Sequence, residues 1–468
     1  MTACRPVGLL LASALAACAS TSPQPAFRDT ATLVEARAGR QVVWDRGTAD
    51  DGALAAKVHD LLARPLTVET AVQVALVNNR TLQATYEDLT IAQADLVQAG
   101  LLQNPVFGAG VSFPIAGSAQ TGFGLSVSQD FLSVFLLAAR KKVAEAELRA
   151  TERRVGDAVL RMAKEVEIAY YSLTAAQQIA AMRRTILEAG DAGLDLALRQ
   201  HAAGNISDLD LANEQGLYEQ VRTDLLRSDA DVITARETLV RLLGLWGADV
   251  GYRVVDKLPE LPDDEIAVDH LESLAVSRRL DLAAAHEEAR AVSHALAMAK
   301  NYRWLGGTSV GAGVERAPEG FTVAGPNVGV ELPLFDQKRA VIARLEGQLR
   351  ARLAREAALT VEVRSEVRAT QGRMLATRAV VERYAKVVVP LRQRIVALTL
   401  ERYNGMLVGA YQLLQAKESE VTGYREFIEA LRDYWVARAD LERATGGALP
   451  LATSHAETNH LPTAGATP

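Results

Sequence analysis

The sequence predicts a mainly α chain with a membrane β-barrel part, built as a duplicated helix–β-hairpin–long helix–helix unit. Three features point to it. The first is Leu136 to Gly204, a stretch without proline and rich in Ala, Leu, Glu and Arg. As one helix, at about 1.5 Å per residue, it would be on the order of 100 Å long, too long for the inside of a compact domain. Its apolar positions Val155, Val159, Met162, Val166, Ala169, Leu173, Ala176 and Ala180 alternate four-residue and three-residue steps. That is a heptad seam, which requires packing along a neighbouring helix. The second feature is that the seam returns 201 residues later, where Val363, Val367, Thr370, Met374, Thr377 and Val381 match Met162 through Ala180. The third is a pair of short period-two stretches at matching places in the two copies.

The length of 468 residues suggests two or three domains, but a repeat of this size argues for one pseudo-symmetric architecture. A net charge of −6, with Lys and Arg interleaved among Asp and Glu, offers no basic face, so nucleic acid is excluded as a partner class. Both cysteines lie within the first eighteen residues, so a chain that begins at Cys18 forms no internal disulfide.

Residues 1–17 read as a signal peptide, with Arg5 as the positive region and Val7 to Ala14 as the apolar one. The stretch is too short to span a bilayer as a helix. Leu15-Ala16-Ala17-Cys18 resembles a bacterial lipobox, in which Cys18 carries the lipid and becomes the N-terminus. The alternative is ordinary cleavage near Ala17 or Ala19. A diacylated Cys18 is a stable anchor to outer-membrane lipid.

Residues 18–64, with Pro23, Pro25, Gly39, Gly47 and Gly52, read as an extended or loosely structured lead-in along the outside of the body. The first repeat spans 65–244. Thr67 caps a helix that runs to about Gln103, with Ala71, Ala75, Leu82 and Leu89 on one face, and Asn104-Pro105 ends it. Two hairpin strands follow at about 105–113 and 122–129, where Phe123, Leu125 and Val127 alternate with Gly124, Ser126 and Ser128. Bulky apolar groups on one side and Gly or Ser on the other is the pattern of a membrane barrel wall; a hairpin packed on a soluble core gives it too. The long helix comes next, then a polar break at His201 to Asp208 and a returning helix from Leu209 to Leu243 that stops at Gly244. The helix before the hairpin and the returning helix would stack end to end to match the long one.

Residues 245–269, with Pro259, Pro262 and Asp263-Asp264-Glu265, form a linker. The second repeat, 270–447, has strands at about 308–316 and 323–332, where Gly311-Ala312-Gly313-Val314 copies Gly108-Ala109-Gly110-Val111. Its long helix runs from about Gln337 to Asn404 with a kink expected at Pro390. After the break at Gly405 to Gly409, the last helix repeats landmarks of the first returning helix, with Ala437-Arg438 matching Ala235-Arg236. Residues 448–468 read as a disordered tail.

The sequence carries no catalytic constellation, cofactor loop or metal-ligand spacing, which predicts a non-enzyme with neither cofactor nor metal. His286-Glu287 and His294 read as surface polar residues, and Asp208-Leu209-Asp210 lacks the other ligands of a calcium loop. Arg140-Lys141-Lys142, where the chain leaves the strands, suits anionic headgroups and equally a solvated helix face. Four strands per chain are too few to close a barrel. Three copies give twelve strands and twelve helical columns, hence a homotrimer whose 12-stranded β-barrel continues into a 12-column α-helical barrel.

These residues resemble the TolC-like outer-membrane efflux channels. The resemblance rests on the duplication, the paired Gly-Ala-Gly-Val strands, Pro333-Leu334-Phe335-Asp336 before the second long helix, and Arg402-Tyr403-Asn404-Gly405 leading to Leu413-Leu414-Gln415-Ala416. It implies passive export through the outer membrane, with a periplasmic adaptor (membrane fusion) protein and an inner-membrane transporter of the resistance-nodulation-division type as partners. The lipobox looks like that of the lipidated members. Gly204 and Asn205 in the first helix turn, and Gly405 and Gly409 in the second, are the implied adaptor-docking turns at the closed periplasmic end. Asp208 and Asp210, repeated three times around that end, are the candidate gate; alternatively Asp208 caps the returning helix. The second turn, Tyr403 to Tyr411, has no acidic residue. A lipid-anchored periplasmic adaptor or coiled-coil scaffold is the competing reading, although an adaptor normally has one hairpin flanked by compact β domains.

Overall fold

The computed structural model describes residues 21–46, 51–113, 121–263, 270–316 and 320–449. The signal segment, Cys18, part of the linker and nearly all of the tail lie outside the described residues. Along the chain come α1 (Gln24–Ala38), α2 (Asp51–Leu62), α3 (Val68–Asn78), α4 (Arg80–Ala99), β1 (Val106–Ser112), β2 (Gly122–Asp130), α5 (Leu132–Ala202) and α6 (Asp208–Leu243). The second half follows with α7 (Leu271–Arg278), α8 (Leu280–Asn301), β3 (Thr308–Arg316), β4 (Thr322–Val330), α9 (Arg339–Arg383), α10 (Val389–Asn404) and α11 (Ala410–Ala444).

Two compact units divide this chain, and the long helices pass from one to the other. One comprises the residues up to Leu33 together with Ala84–Ala158 and Leu280–Val361; the other comprises Val34–Gln83, Val159–Arg279 and the residues from Glu362 on.

In the first unit, β1, β2, β3 and β4 form one antiparallel sheet in sequence order, so β1 and β4 are its two edges. The second hairpin therefore lies beside the first. Nearby helices are tied by ion pairs: Arg149 Nε lies 3.0 Å from Glu287, whose other oxygen is 3.1 Å from Arg290. Glu152 is buried next to them, and burial, then the nearby Asp29 carboxylate, push its pKa up to about 7 against the pull of Arg153 and Arg149. Its folded value is thus above its unfolded one. The contribution of Glu152 to stability is present at low pH and is lost as pH rises through about 7. Glu152→Gln should accordingly lose less stability between pH 5 and pH 8 than the wild type, a difference read from thermal midpoints at the two pH values.

The second unit holds the heptad seam. Val159, Val166, Ala169, Leu173 and Ala180 of α5 are buried, as are Val363, Val367, Thr370, Met374 and Val381 of α9. Yet the two copies are not equally enclosed. Helix α5 also buries Ala163, Lys164, Tyr170, Tyr171 and Thr174 beside its seam, whereas α9 leaves Leu375 and Val380 exposed. The Tyr170 hydroxyl donates to the Leu66 carbonyl at 2.9 Å, and Tyr171 stacks on Trp435 of α11 at 5.4 Å.

The lead-in is not extended: α1 and α2 are helices. Pro23 and Pro25 stand before and within the first turn of α1, where proline costs no hydrogen bond, and Ala26, Thr30 and Val34, four residues apart, form a buried stripe behind them. The helix from Thr67 does not run unbroken to Gln103, because Asn79 takes an extended conformation between α3 and α4 and α4 ends at Ala99. Asn79 Nδ2 donates to the Leu242 carbonyl at 2.8 Å, and Asn78 Nδ2 donates to those of Leu243 at 3.0 Å and Gly244 at 2.8 Å. The break thus satisfies carbonyls that the end of α6 leaves open. Gly244 makes the close approach possible, with a φ of +68° and the Asn78 carbonyl oxygen 2.7 Å from where a Cβ would stand.

The second copy repeats the junction with other chemistry. Arg279 breaks α7 from α8 and its guanidinium donates to the Ala444 carbonyl at the end of α11, while Gly446, φ +83°, passes against the Arg279 backbone. The kink expected at Pro390 takes the form of a π-helical turn at Tyr384–Val388, just ahead of it. Proline lacks the N–H that would reach back one turn, and the widened turn absorbs the mismatch.

Candidate functional site: the strand wall and the helix turns

The register of the sheet sorts its side chains into two faces. Phe107 pairs with Val127, Ala109 with Leu125 and Val111 with Phe123; across the next ladder Leu125 pairs with Val314 and Val127 with Ala312; then Val310 pairs with Val328 and Val314 with Ala324. Because side chains alternate along a strand, these groups share one face. It is a continuous apolar surface, and Phe107, Val111, Leu125, Val314 and Val328 on it are exposed.

The opposite face carries Gly108, Gly110, Gly124, Ser126, Gly313, Gly325 and Asn327. A concavity of about 500 Å³ on the sheet is lined by these residues and Glu315, and also by Ala109, Leu125, Val314 and Val323. Glycine is required at Gly311, where a Cβ would sit 2.3 Å from the Asn327 amide oxygen and 2.5 Å from the Val127 carbonyl. Among the described residues no helix is long and apolar enough to cross a membrane.

The helix turns belong to the other unit. At the first, Gly204 follows the end of α5 with φ +76°, and Asn205 N–H donates to the Gln200 carbonyl at 2.9 Å. Ser207, not Asp208, caps α6: its hydroxyl accepts from Asp210 N–H, and the Asp210 carboxylate accepts from Ser207 N–H at 3.1 Å and Ser207 Oγ at 2.7 Å. Those bonds from Ser207 hold the Asp210 carboxyl below the usual carboxylate range. The spacing Ser207-x-x-Asp210 is a capping-box signature legible in the sequence. Asp208 is left at the tip, its side chain 97% exposed and 2.6 Å from His201 Nε2. The two carboxylates thus have different surroundings, one committed to the cap and one facing solvent.

At the second turn the left-handed residue is Met406, φ +54°, rather than Gly405. Met406 N–H donates to Tyr403 and Leu407 N–H to Arg402, both at 2.9 Å, and Gly409 starts α11 with its N–H on the Gln412 side chain. Met406 and Leu407 are exposed at this tip, as Leu209 is at the first. These apolar tip residues carry no periodic signal, and sequence reasoning missed them.

A sheet with one apolar and one small polar face has the side-chain alternation of a membrane-barrel wall. Residues 71–245 match the model of the outer membrane efflux protein family. That stretch is therefore similar to the domain of that family, and the fold of the chain is that of the solved outer-membrane channels that follow. It is similar to a membrane protein from Pseudomonas aeruginosa, with a TM-score of 0.71 and 22% identity, over 81% of this chain and 92% of that one. It is also similar to the outer membrane protein VceC of Vibrio cholerae, at 0.68 and 18% identity over 81% and 96% of the two chains. The outer membrane channel CmeC of Campylobacter jejuni matches at 0.71 and 14% identity, over 82% of this chain and 86% of that one. No curated protein sequence gives a significant match.

Proposed function

We propose that the protein is the outer-membrane channel of a tripartite efflux system, a passive conduit from periplasm to exterior. The observation that carries this reading is the sheet, whose two edges, β1 and β4, are open and whose outer face is apolar. In a bilayer every backbone N–H and C=O needs a partner, so such edges must meet other edges. Three chains would close a twelve-stranded barrel with the apolar face to lipid and the Gly/Ser face to water. The exposed Leu375 and Val380 of α9, and Leu226 and Ile233 of α6, are the surfaces that neighbouring columns of a trimeric helical barrel would cover.

The signal peptide and Cys18 would deliver the chain and anchor it in the outer membrane. The periplasmic adaptor would dock on the turns at Gly204–Asn205 and Gly405–Gly409, where Leu209, Met406 and Leu407 are exposed, and would couple the channel to an inner-membrane transporter. Asp208 would supply the gate carboxylate in each chain, with Asp210 held in its cap.

Single cysteines test the wall. Val111→Cys and Val314→Cys should react with a lipid-soluble maleimide and resist a water-soluble one, and Ser126→Cys should do the reverse. Equal labelling of all three from water would overturn the membrane placement. Conductance of the purified trimer in a planar bilayer separates this reading from an adaptor or scaffold, which would give none.

A further inference from the structure

In the second unit, α5, α6 and α11 enclose a cavity of about 250 Å³, lined by Met182, Ile186, Leu217, Tyr218, Leu414 and Val421. Two helical glycines, Gly190 and Gly193, stand on the α5 side of it. Glycine weakens a helix interior, so its presence calls for a reason. Close backbone approach is not that reason. At Gly193 a Cβ would meet nothing within 4 Å, and at Gly190 the nearest atom would be Tyr218 Cδ2 at 3.8 Å. What the two glycines do is leave room: three residues apart, they lie on one side of α5, and their missing side chains open the cavity.

The charges around it are unevenly satisfied. Arg183 donates to the Asp224 carbonyl and lies 3.9 Å from its carboxylate; Lys417 is 2.6 Å from Glu420, and Arg425 is 3.9 Å from Glu429. Glu418 and Glu214 also line the cavity, and among the described residues no hydrogen bond or ion pair reaches either carboxylate; Glu418 is exposed, Glu214 is not. Glu214 is half-buried, and burial alone raises its pKa. A carboxylate taken partly out of water without a partner favours any cation that can reach it. A cavity with an apolar wall and one half-buried acid without a partner suits a ligand with a ring and a single positive charge.

We propose that this cavity is a binding site for a small apolar cation, a ring-bearing primary amine whose ammonium pairs with Glu214 and whose ring fills the space left by Gly190 and Gly193. Nothing in this site depends on the membrane strands, which belong to the other unit. The amine would touch α5, α6 and α11 at once. Its binding would therefore tie the first helical hairpin to the last helix.

Isothermal titration of the full-length protein in amphipol, with 2-naphthylmethylamine and with neutral 2-naphthylmethanol, tests the site. The amine should bind at least tenfold more tightly than the alcohol. Glu214→Gln should weaken the amine about tenfold and leave the alcohol unchanged. Gly193→Leu, which fills the cavity with a better helix former, should abolish binding of both, and the smaller Gly193→Ala should weaken both. Circular dichroism confirms that each variant is folded; Gly193→Ala decides the matter if Gly193→Leu is not. Equal binding of amine and alcohol, unchanged binding in the folded Gly193 variants, or no binding to the wild type would overturn the proposal.

Discussion

Lys164→Met should be the most destabilising single substitution in the helical part, costing about 3–5 kcal/mol at pH 8, the range for removing one partner of a buried ion pair. Lys164 is buried, with its ammonium 2.8 Å from Glu167 and bonded also to Glu442 of α11. Burial alone would pull the Lys164 pKa down; Glu442 and Glu167 outweigh that and raise it. Glu167 is pushed up by burial in spite of Lys164. Without the ammonium, two carboxylates would face each other in a poorly hydrated place and one would take up a proton. The folded pKa of the pair would rise further. The variant should therefore be closest to wild type near pH 5 and fall away as pH rises to 8, since stability tied to a raised carboxyl pKa is lost on the alkaline side. The combination Lys164→Met, Glu167→Gln and Glu442→Gln should recover most of the loss. Denaturant midpoints at the two pH values measure this; a single variant with the wild-type midpoint at pH 8 would show that the triad carries no such weight.

Leu125→Arg should prevent stable insertion of the sheet, while Ser126→Arg, one residue on, should be tolerated. Leu125 lies in the middle of β2, between Ala109 of β1 and Val314 of β3, on the exposed apolar face. A guanidinium at the bilayer midplane of a barrel wall costs about 2–4 kcal/mol, incurred once in each chain of an oligomer. Ser126 points to the opposite, small-residue face, next to Gly108 and Gly313, where a charge would meet water. The yield of heat-modifiable trimer in outer-membrane fractions reads the difference. Equal yields would mean that the apolar face does not contact lipid. If three such sheets close a barrel as proposed, Ser126→Arg should instead lower single-channel conductance, because it would narrow the lumen.

Some of this was legible in the residues because side-chain period is a local property. A residue's place in a heptad assigns it to the buried seam, which is why Val363, Val367 and Met374 of α9 are found buried. Strand alternation assigns Leu125 and Ser126 to opposite faces in the same way. Where the period is disguised, the reading went astray. Thr30 within the stripe Ala26-Thr30-Val34 looks polar, but its hydroxyl donates to the Ala26 carbonyl, so it packs as a small apolar residue and α1 forms where an extended lead-in was expected. Asp208 reads as a cap when taken alone, but Ser207 one residue earlier completes a capping box with Asp210.

By itself the sequence determined the helical class, the duplication, the seam and the two-faced strands, since each follows from repeating patterns within a single element. Tertiary structure alone decided what depends on residues far apart in the chain. Asn79 interrupts a helix because its side-chain amide bonds the Leu242 carbonyl, and Arg279 does the same through Ala444. Lys164 can be buried only because Glu442 comes to it from α11. The cavity at Gly190 and Gly193 exists only where α6 and α11 pass in front of them. No local pattern encodes such meetings, because an unpaired amide, a buried charge or a missing side chain acquires its energetic meaning only from the group that the fold brings opposite it.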